Sequence, residues 1–179
     1  MEFSADSTDR AEKIVALFES TFGASEGTEE GRLIGTLVKN LLETTKREDR
    51  AVFTAREGDV LAGAIIFSRL AYDEDARDVF LLAPVAVETG RQGQGIGQAL
   101  IRHGLAAMRD RGADVAITYG DPAYYGKVGF RPIGEDMAPP PQPLQQPEGW
   151  LAQSLTGRPL DPLKGRARCV PAFDDPAYW

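Results

Sequence analysis

The sequence contains one cysteine, Cys169, and one histidine, His103, in 179 residues. A single thiol excludes an internal disulfide and a thiolate metal cluster. With only one imidazole beside it, a zinc site of usual composition cannot be assembled. No Gly-x-Ser-x-Gly turn accompanies His103, which excludes a Ser-His-Asp hydrolase and leaves the imidazole as a surface bystander on a helix. Cys169 reads as a buried or partly buried bystander. No apolar run approaches the roughly 20 residues needed to cross a bilayer. The segment Met1-Glu2-Phe3-Ser4 lacks the basic and apolar regions of a signal peptide. The expected setting is therefore the cytoplasm, with no membrane partner.

Basic charge is also in short supply. Twenty Lys and Arg face 27 Asp and Glu, a net charge of -7, which argues against a nucleic-acid partner. Hydrophobic residues make up 42% and charged residues 26%, ordinary values for a globular protein. At this length the expectation is one domain spanning 1–179, monomeric or homodimeric, with a core of useful size.

Periodicity supplies the elements. Met1 to Ser4 reads as a short strand. Asp9 and Glu12 resemble a capping box opening a helix with Ala11, Ile14, Val15, Phe18 and Phe22 on one face. A second helix carries the stripe Leu33, Ile34, Leu37, Val38, Leu41 and Leu42. Ala51 to Arg56 and Val60 to Leu70 read as strands joined through the hairpin signal Gly58-Asp59. A polar acidic loop, Tyr72 to Asp78, precedes the strand Val79 to Val87. A helix from Ile96 to Arg111 turns Ile96, Leu100, Ile101, Gly104, Leu105 and Met108 inward, and the strand Asp114 to Tyr119 follows. Residues 138–149 contain five prolines and read as a loop. Trp150 to Leu155 and Ala167 to Phe173 read as closing strands. The order predicts an α/β fold of the α+β type, with a mixed, largely antiparallel central sheet flanked by helices.

The segment Arg91-Gln92-Gly93-Gln94-Gly95-Ile96-Gly97-Gln98 lies between a strand and an amphipathic helix. Three glycines at alternate positions let the backbone approach an anion, and the helix N-terminus adds unpaired N–H donors and partial positive charge. Two phosphate ligands fail on spacing. A dinucleotide fingerprint needs a small residue where Gln98 or Leu100 stands. A nucleoside-triphosphate loop ending at Gly126-Lys127 has Asp121 in place of its first glycine and Val128 after the lysine. Pro84 has no N–H and is tolerated in a sheet only at an edge or irregularity, so the strand is expected to splay there and free backbone groups beyond it.

The pattern Gln92-x-x-Gly95-x-Gly97 after Val85-Ala86-Val87 resembles the acetyl-CoA motif of the GNAT superfamily of N-acetyltransferases. A second match is Asp121-Pro122-Ala123-Tyr124-Tyr125-Gly126-Lys127-Val128-Gly129-Phe130, similar to the family's tyrosine segment. The wider stretch Gly120 to Pro132 is similar to a bacterial branch of acetyltransferases whose substrates are mostly unassigned. The resemblance covers roughly Val79 to Arg131 and implies the GNAT acyltransferase fold. It implies acetyl-CoA as cofactor, with Gln92, Gly93, Gln94, Gly95, Ile96, Gly97 and Gln98 around the pyrophosphate. It further implies that the backbone of Val85, Ala86 and Val87 lies along the pantetheine arm, the Val85 amide on the thioester carbonyl. Tyr125 takes the position of the catalytic acid, with Tyr124 the alternative. A tyrosine pKa near 10 against a thiol near 8.5 makes full proton transfer nearly balanced.

The resemblance implies acetyl transfer to a small-molecule or peptide amine by direct attack in a ternary complex. The alternative is an acyl-CoA-binding regulatory module without turnover. Some family members carry a glutamate base where this chain has Leu81. Asp73, Glu74, Asp75 and Glu88 are other acids close in sequence, and Asp121 reads either as a remote relay or as the cap of a short helix at Pro122. The base stays unassigned.

Overall fold

A computed structural model of the chain describes residues 1–5 and 10–179. Asp9, half of the expected capping box, lies outside the described residues. Two compact units are formed, Met1–Phe67 with Pro84–Gly104, and Ser68–Ala83 with Leu105–Trp179. The chain passes between them inside two strands and one helix.

The first unit opens with strand β1 (Glu2–Ala5), followed by helices α1 (Ala11–Glu26) and α2 (Thr28–Thr44). Strand β2 (Arg50–Glu57) pairs antiparallel with β1, from Glu2↔Arg56 to Ala5↔Phe53. The buried face of α1 is Ile14, Leu17, Phe18 and Thr21, turned from the expected stripe, so that Ala11, Val15 and Phe22 are only half-buried. Packing against α2 accounts for the turn. A Cβ on Gly31 would stand 2.6 Å from the Glu19 carbonyl oxygen and 2.8 Å from the Gly23 Cα, so the two backbones meet where side chains are absent. On α2, Ile34, Leu37, Val38, Leu41 and Leu42 are buried as expected, while Leu33 is half-buried.

Strand β3 (Val60–Tyr72), strand β4 (Val79–Val87) and helix α3 (Ile96–Asp110) contribute to both units. Within the first unit, a Cβ on Gly104 of α3 would lie 2.8 Å from Ile65 Cδ1 and 2.9 Å from Phe67 Cε2. The helix therefore sits directly on the apolar face of β3. All six residues assigned to the inner half of α3 are buried.

In the second unit, β4 runs parallel to β5 (Val115–Tyr119), from Val79↔Val115 to Leu82↔Thr118. Parallel neighbours require a long crossover, and α3 is that crossover. Strand β7 (Trp150–Ser154) pairs antiparallel with β5, and the two-residue β6 (Arg131–Pro132) pairs with β7. Strand β6 escaped the sequence reading because a two-residue element has no period. Its Pro132 is tolerated because β6 is the last strand of the sheet order β1-β2-β3-β4-β5-β7-β6. Strand β8 (Ala167–Cys169) pairs with the end of β3. It stops short of the expected Phe173 because Pro171 opens a 3-10 turn. The proline-rich loop is irregular except for a 3-10 turn at Pro147–Gly149.

The acidic loop after β3 is a clasp. The Asp75 carboxylate accepts from Arg77 Nε at 2.9 Å, from Arg77 Nη2 at 2.7 Å and from the Lys164 amide at 3.1 Å. Arg77 continues to the carbonyls of Asp161 and Pro162 at 2.9 and 2.8 Å. Hydrogen bonding from Arg77 holds the Asp75 carboxyl well below the usual carboxylate range.

Two expectations follow. Gly31→Ala should destabilise the fold in a denaturant melt, because the overpacking cost of about 1–3 kcal/mol against a fixed carbonyl exceeds the helix-propensity gain of about 1 kcal/mol. A more stable variant would show that α1 moves freely from α2. The lowered folded pKa of Asp75 means that its contribution is full above about pH 5 and is lost progressively as the pH falls from the ordinary value near 3.9 towards the lowered folded value. Asp75→Asn should thus be less stable at pH 7 and show a shallower loss between about pH 5 and 3, read by urea melts across that range.

Candidate active site

The glycine turn follows a strand end that is stapled in place. The Glu88 amide donates to the Ala62 carbonyl at 2.9 Å, and the Glu88 carboxylate accepts from the Gly90 amide at 3.1 Å. Gln92 Nε2 donates to the Val87 carbonyl at 3.1 Å, so this side chain closes the loop on its own strand. Arg91 is ion-paired with Glu57 and lies near Glu88, so its charge is already engaged. The same contact holds the Glu57 carboxyl below its usual range, chiefly by the hydrogen bond from Arg91.

Beyond this staple the backbone is open. Gly93 and Gly95 have φ of +74° and +79°, the left-handed region in which a side chain is strained. No heavy atom lies within 4 Å of the place a Cβ would occupy on either residue. The first backbone bond closing a turn of α3 runs from the Ala99 amide to the Gly95 carbonyl at 3.0 Å. The amides of Ile96, Gly97 and Gln98 precede it, at the positive end of a helix 15 residues long. Open space at two glycines of positive φ and a helix N-terminus together fit a diphosphate.

The β4–β5 ladder ends at Leu82↔Thr118, two residues before Pro84. Val85 and Val87 are half-buried and Ala86 is buried. Leu81 is 1% exposed and paired with Ile117 inside the ladder, a core residue with no proton chemistry.

The tyrosine segment lies in the second unit. Helix α4 (Pro122–Tyr125) begins at Asp121, whose carboxylate accepts from the Ala123 amide at 2.9 Å. This is the capping geometry, one of the two readings of that residue. Gly129, at φ +98°, reverses the chain so that the Phe130 amide donates to the Tyr125 carbonyl at 3.2 Å. The half-buried Tyr125 ring then meets Tyr124 and Phe130 edge-on, at centroid distances of 5.1 and 5.8 Å. Burial pushes the Tyr125 phenol well above its ordinary pKa, with smaller upward contributions from Tyr124 and Asp121, opposed by a hydrogen bond with Thr118. The near balance expected between phenol and thiol is therefore displaced toward the protonated phenol.

Three of the other acids close in sequence are engaged elsewhere. Asp75 belongs to the clasp, Asp73 pairs with Arg168 at 2.9 Å, and Glu88 caps the glycine turn. His103 stacks on Phe3 and meets Phe53 edge-on, each at 5.8 Å. Burial pushes the Cys169 thiol up to about 11, which makes it unreactive at neutral pH. Sequence reasoning passed over Thr118 and Gly120, both in contact with Tyr125. A lone threonine in an otherwise apolar strand was the available signal.

Among the described residues, no helix is long and apolar enough to cross a membrane. A family profile described as Acetyltransferase (GNAT) family matches residues 11–130. The chain is 35% identical over 139 residues to the uncharacterized N-acetyltransferase YjhQ of Escherichia coli K12, covering 75% of this chain and 76% of that protein. Its fold is similar to a GNAT family acetyltransferase from Brucella melitensis crystallised with acetyl-CoA, with a TM-score of 0.76, 25% identity and 97% of each chain covered. It is also similar to Escherichia coli YhbS crystallised with CoA, with a TM-score of 0.77 and 24% identity over 97% of this chain and 92% of that one. With the profile spanning both the glycine turn and the tyrosine segment, the chain belongs to the acetyltransferase (GNAT) family.

Proposed function

We propose that the chain is an acetyl-CoA-dependent N-acetyltransferase acting on an amine by direct attack in a ternary complex. The observation that carries this reading is the open glycine turn at the N-terminus of α3 in a chain of this family. Two similar proteins were crystallised with acetyl-CoA or CoA, which supports the same ligand here. In this reading the amides of Gly93, Gln94, Gly95, Ile96, Gly97 and Gln98 hold the pyrophosphate. Gln92 acts through its bond to Val87, which keeps the end of β4 in place. The backbone of Val85, Ala86 and Val87 accompanies the pantetheine arm, and the Val85 amide polarises the thioester carbonyl. A preorganised donor of this kind contributes about 10²–10³-fold in rate.

Tyr125 donates to the sulfur as the carbon–sulfur bond breaks. Its raised pKa keeps it protonated across the neutral and alkaline range. The acceptor must reach the thioester as the free amine, since Leu81 offers no base. An alkylamine with a pKa near 10.4 gains about tenfold in neutral fraction for each pH unit below that value.

Three measurements test the reading. Gly95→Glu should abolish acetyl-CoA binding in calorimetry with little change in circular dichroism, since a carboxylate then stands on the anion position. Near-wild-type affinity in that variant removes the basis of the proposal. Thiol release with a mixed amine panel separates turnover from binding alone, and Tyr125→Phe should lower it by roughly 10²-fold at similar acetyl-CoA affinity. With an alkylamine, kcat/KM should rise about tenfold per pH unit from 6 to 9, and Asp121→Asn should cost less than Tyr125→Phe because asparagine also caps a helix. A flat profile together with an inactive Asp121→Asn would show that Asp121 is a dedicated base.

A further inference from the structure

We propose that Thr118 and Gly120, at the end of β5, position the Tyr125 hydroxyl and that Thr118 supplies the hydrogen bond that steadies Tyr125 after it has given up its proton. This rests on the reading of Tyr125 as the donor to the departing sulfur. Thr118 is fully buried, and its hydroxyl donates to the Leu82 carbonyl at 2.8 Å. With that proton committed, the Thr118 oxygen can only accept from the Tyr125 O–H, the second partner with which it is hydrogen-bonded. The resting arrangement is a directed chain, from Tyr125 to Thr118 to the backbone of β4. It holds the phenol oxygen at one place.

Gly120 abuts the ring itself. A Cβ at this position would lie 2.6 Å from Tyr125 Cε2 and 3.3 Å from Cδ2, so that edge of the ring stands against bare backbone. Gly120 is itself anchored, its amide donating to the Gly149 carbonyl at 2.9 Å. The near-perpendicular rings of Tyr124 and Phe130 complete the seat. A tyrosine gripped along its ring and at its oxygen has little rotational freedom left to lose before it donates.

The hydroxyl of Thr118 also resolves the cost of a phenolate in this enclosed place. As the carbon–sulfur bond breaks, its electron pair goes to sulfur, and the Tyr125 O–H bond breaks as the S–H bond forms. Thr118 then turns its proton from the Leu82 carbonyl to the phenolate oxygen, by rotation about one bond. The proton lost from the acetylated nitrogen restores the phenol, and Thr118 returns to Leu82. Valine has the same shape and can make neither bond.

The test is a series at Thr118 read in two ways. In free protein carrying tyrosine isotope-labelled at Cζ, the Tyr125 Cζ resonance should shift in Thr118→Val and return in Thr118→Ser. In turnover, Thr118→Val should lower kcat about tenfold with the KM for acetyl-CoA within about twofold, and Thr118→Ser should recover most of it. Combined with Tyr125→Phe, Thr118→Val should add almost nothing, because the two act as one unit. Should Thr118→Val fold poorly, Gly120→Ala reaches the same ring by displacing it, and the same resonance shift and kcat loss are expected. Full turnover in Tyr125→Phe overturns the donor reading itself. An inactive Tyr125→Phe beside a Thr118→Val with unmoved resonance and unchanged kcat overturns the positioning role alone.

Discussion

The parallel pairing of β4 with β5 is the constraint from which the other features follow. Parallel neighbours cannot be joined by a tight turn, so the chain must leave β4, cross as a helix and return. That helix is α3, and its start is where the glycine turn sits. The same ladder fixes the register that sets Thr118 beside Leu82 and gives its hydroxyl a carbonyl to bond. It ends two residues before Pro84, where a missing N–H would otherwise interrupt it.

Charge is distributed by the same economy of partners. The chain is acidic overall, yet several carboxylates near the functional segments are engaged. Glu88 and Glu57 hold Arg91 beside the glycine turn, Asp121 caps α4, and Asp75 closes the clasp on Arg77 and Lys164. With Arg91 engaged, the proposed anion site would rest on the backbone itself, through N–H groups and the helix dipole. A backbone site of this kind depends on dihedral angles more than on side chains, which is why it rests on glycines at positive φ.

Elements with a strong period were legible from the residues. The inner face of α3 and the stripe of α2 follow a 3.6-residue repeat dense enough to allow one orientation. On α1 the apolar residues spread over a wider arc, so the sequence alone offered several faces. The choice was made by Gly23 and Gly31, where α1 and α2 approach within a side chain's width. Strand β6 and the early stop of β8 escaped for a different reason: each is set by a proline and a neighbouring strand rather than by its own pattern.

The sequence by itself determined the family motif, the glycine turn and the position of Tyr125, because each is a local pattern of residue types with a local conformational consequence. It equally determined that no base stands at Leu81. The tertiary structure alone decided which groups are free to act. Asp121 is used as a cap, His103 is packed between two phenylalanines, and the phenol of Tyr125 is buried beside Thr118. A hydrogen-bond partner is a matter of distance in space, and Thr118 reaches Tyr125 only after a turn and a helix have folded the chain back on its own strand.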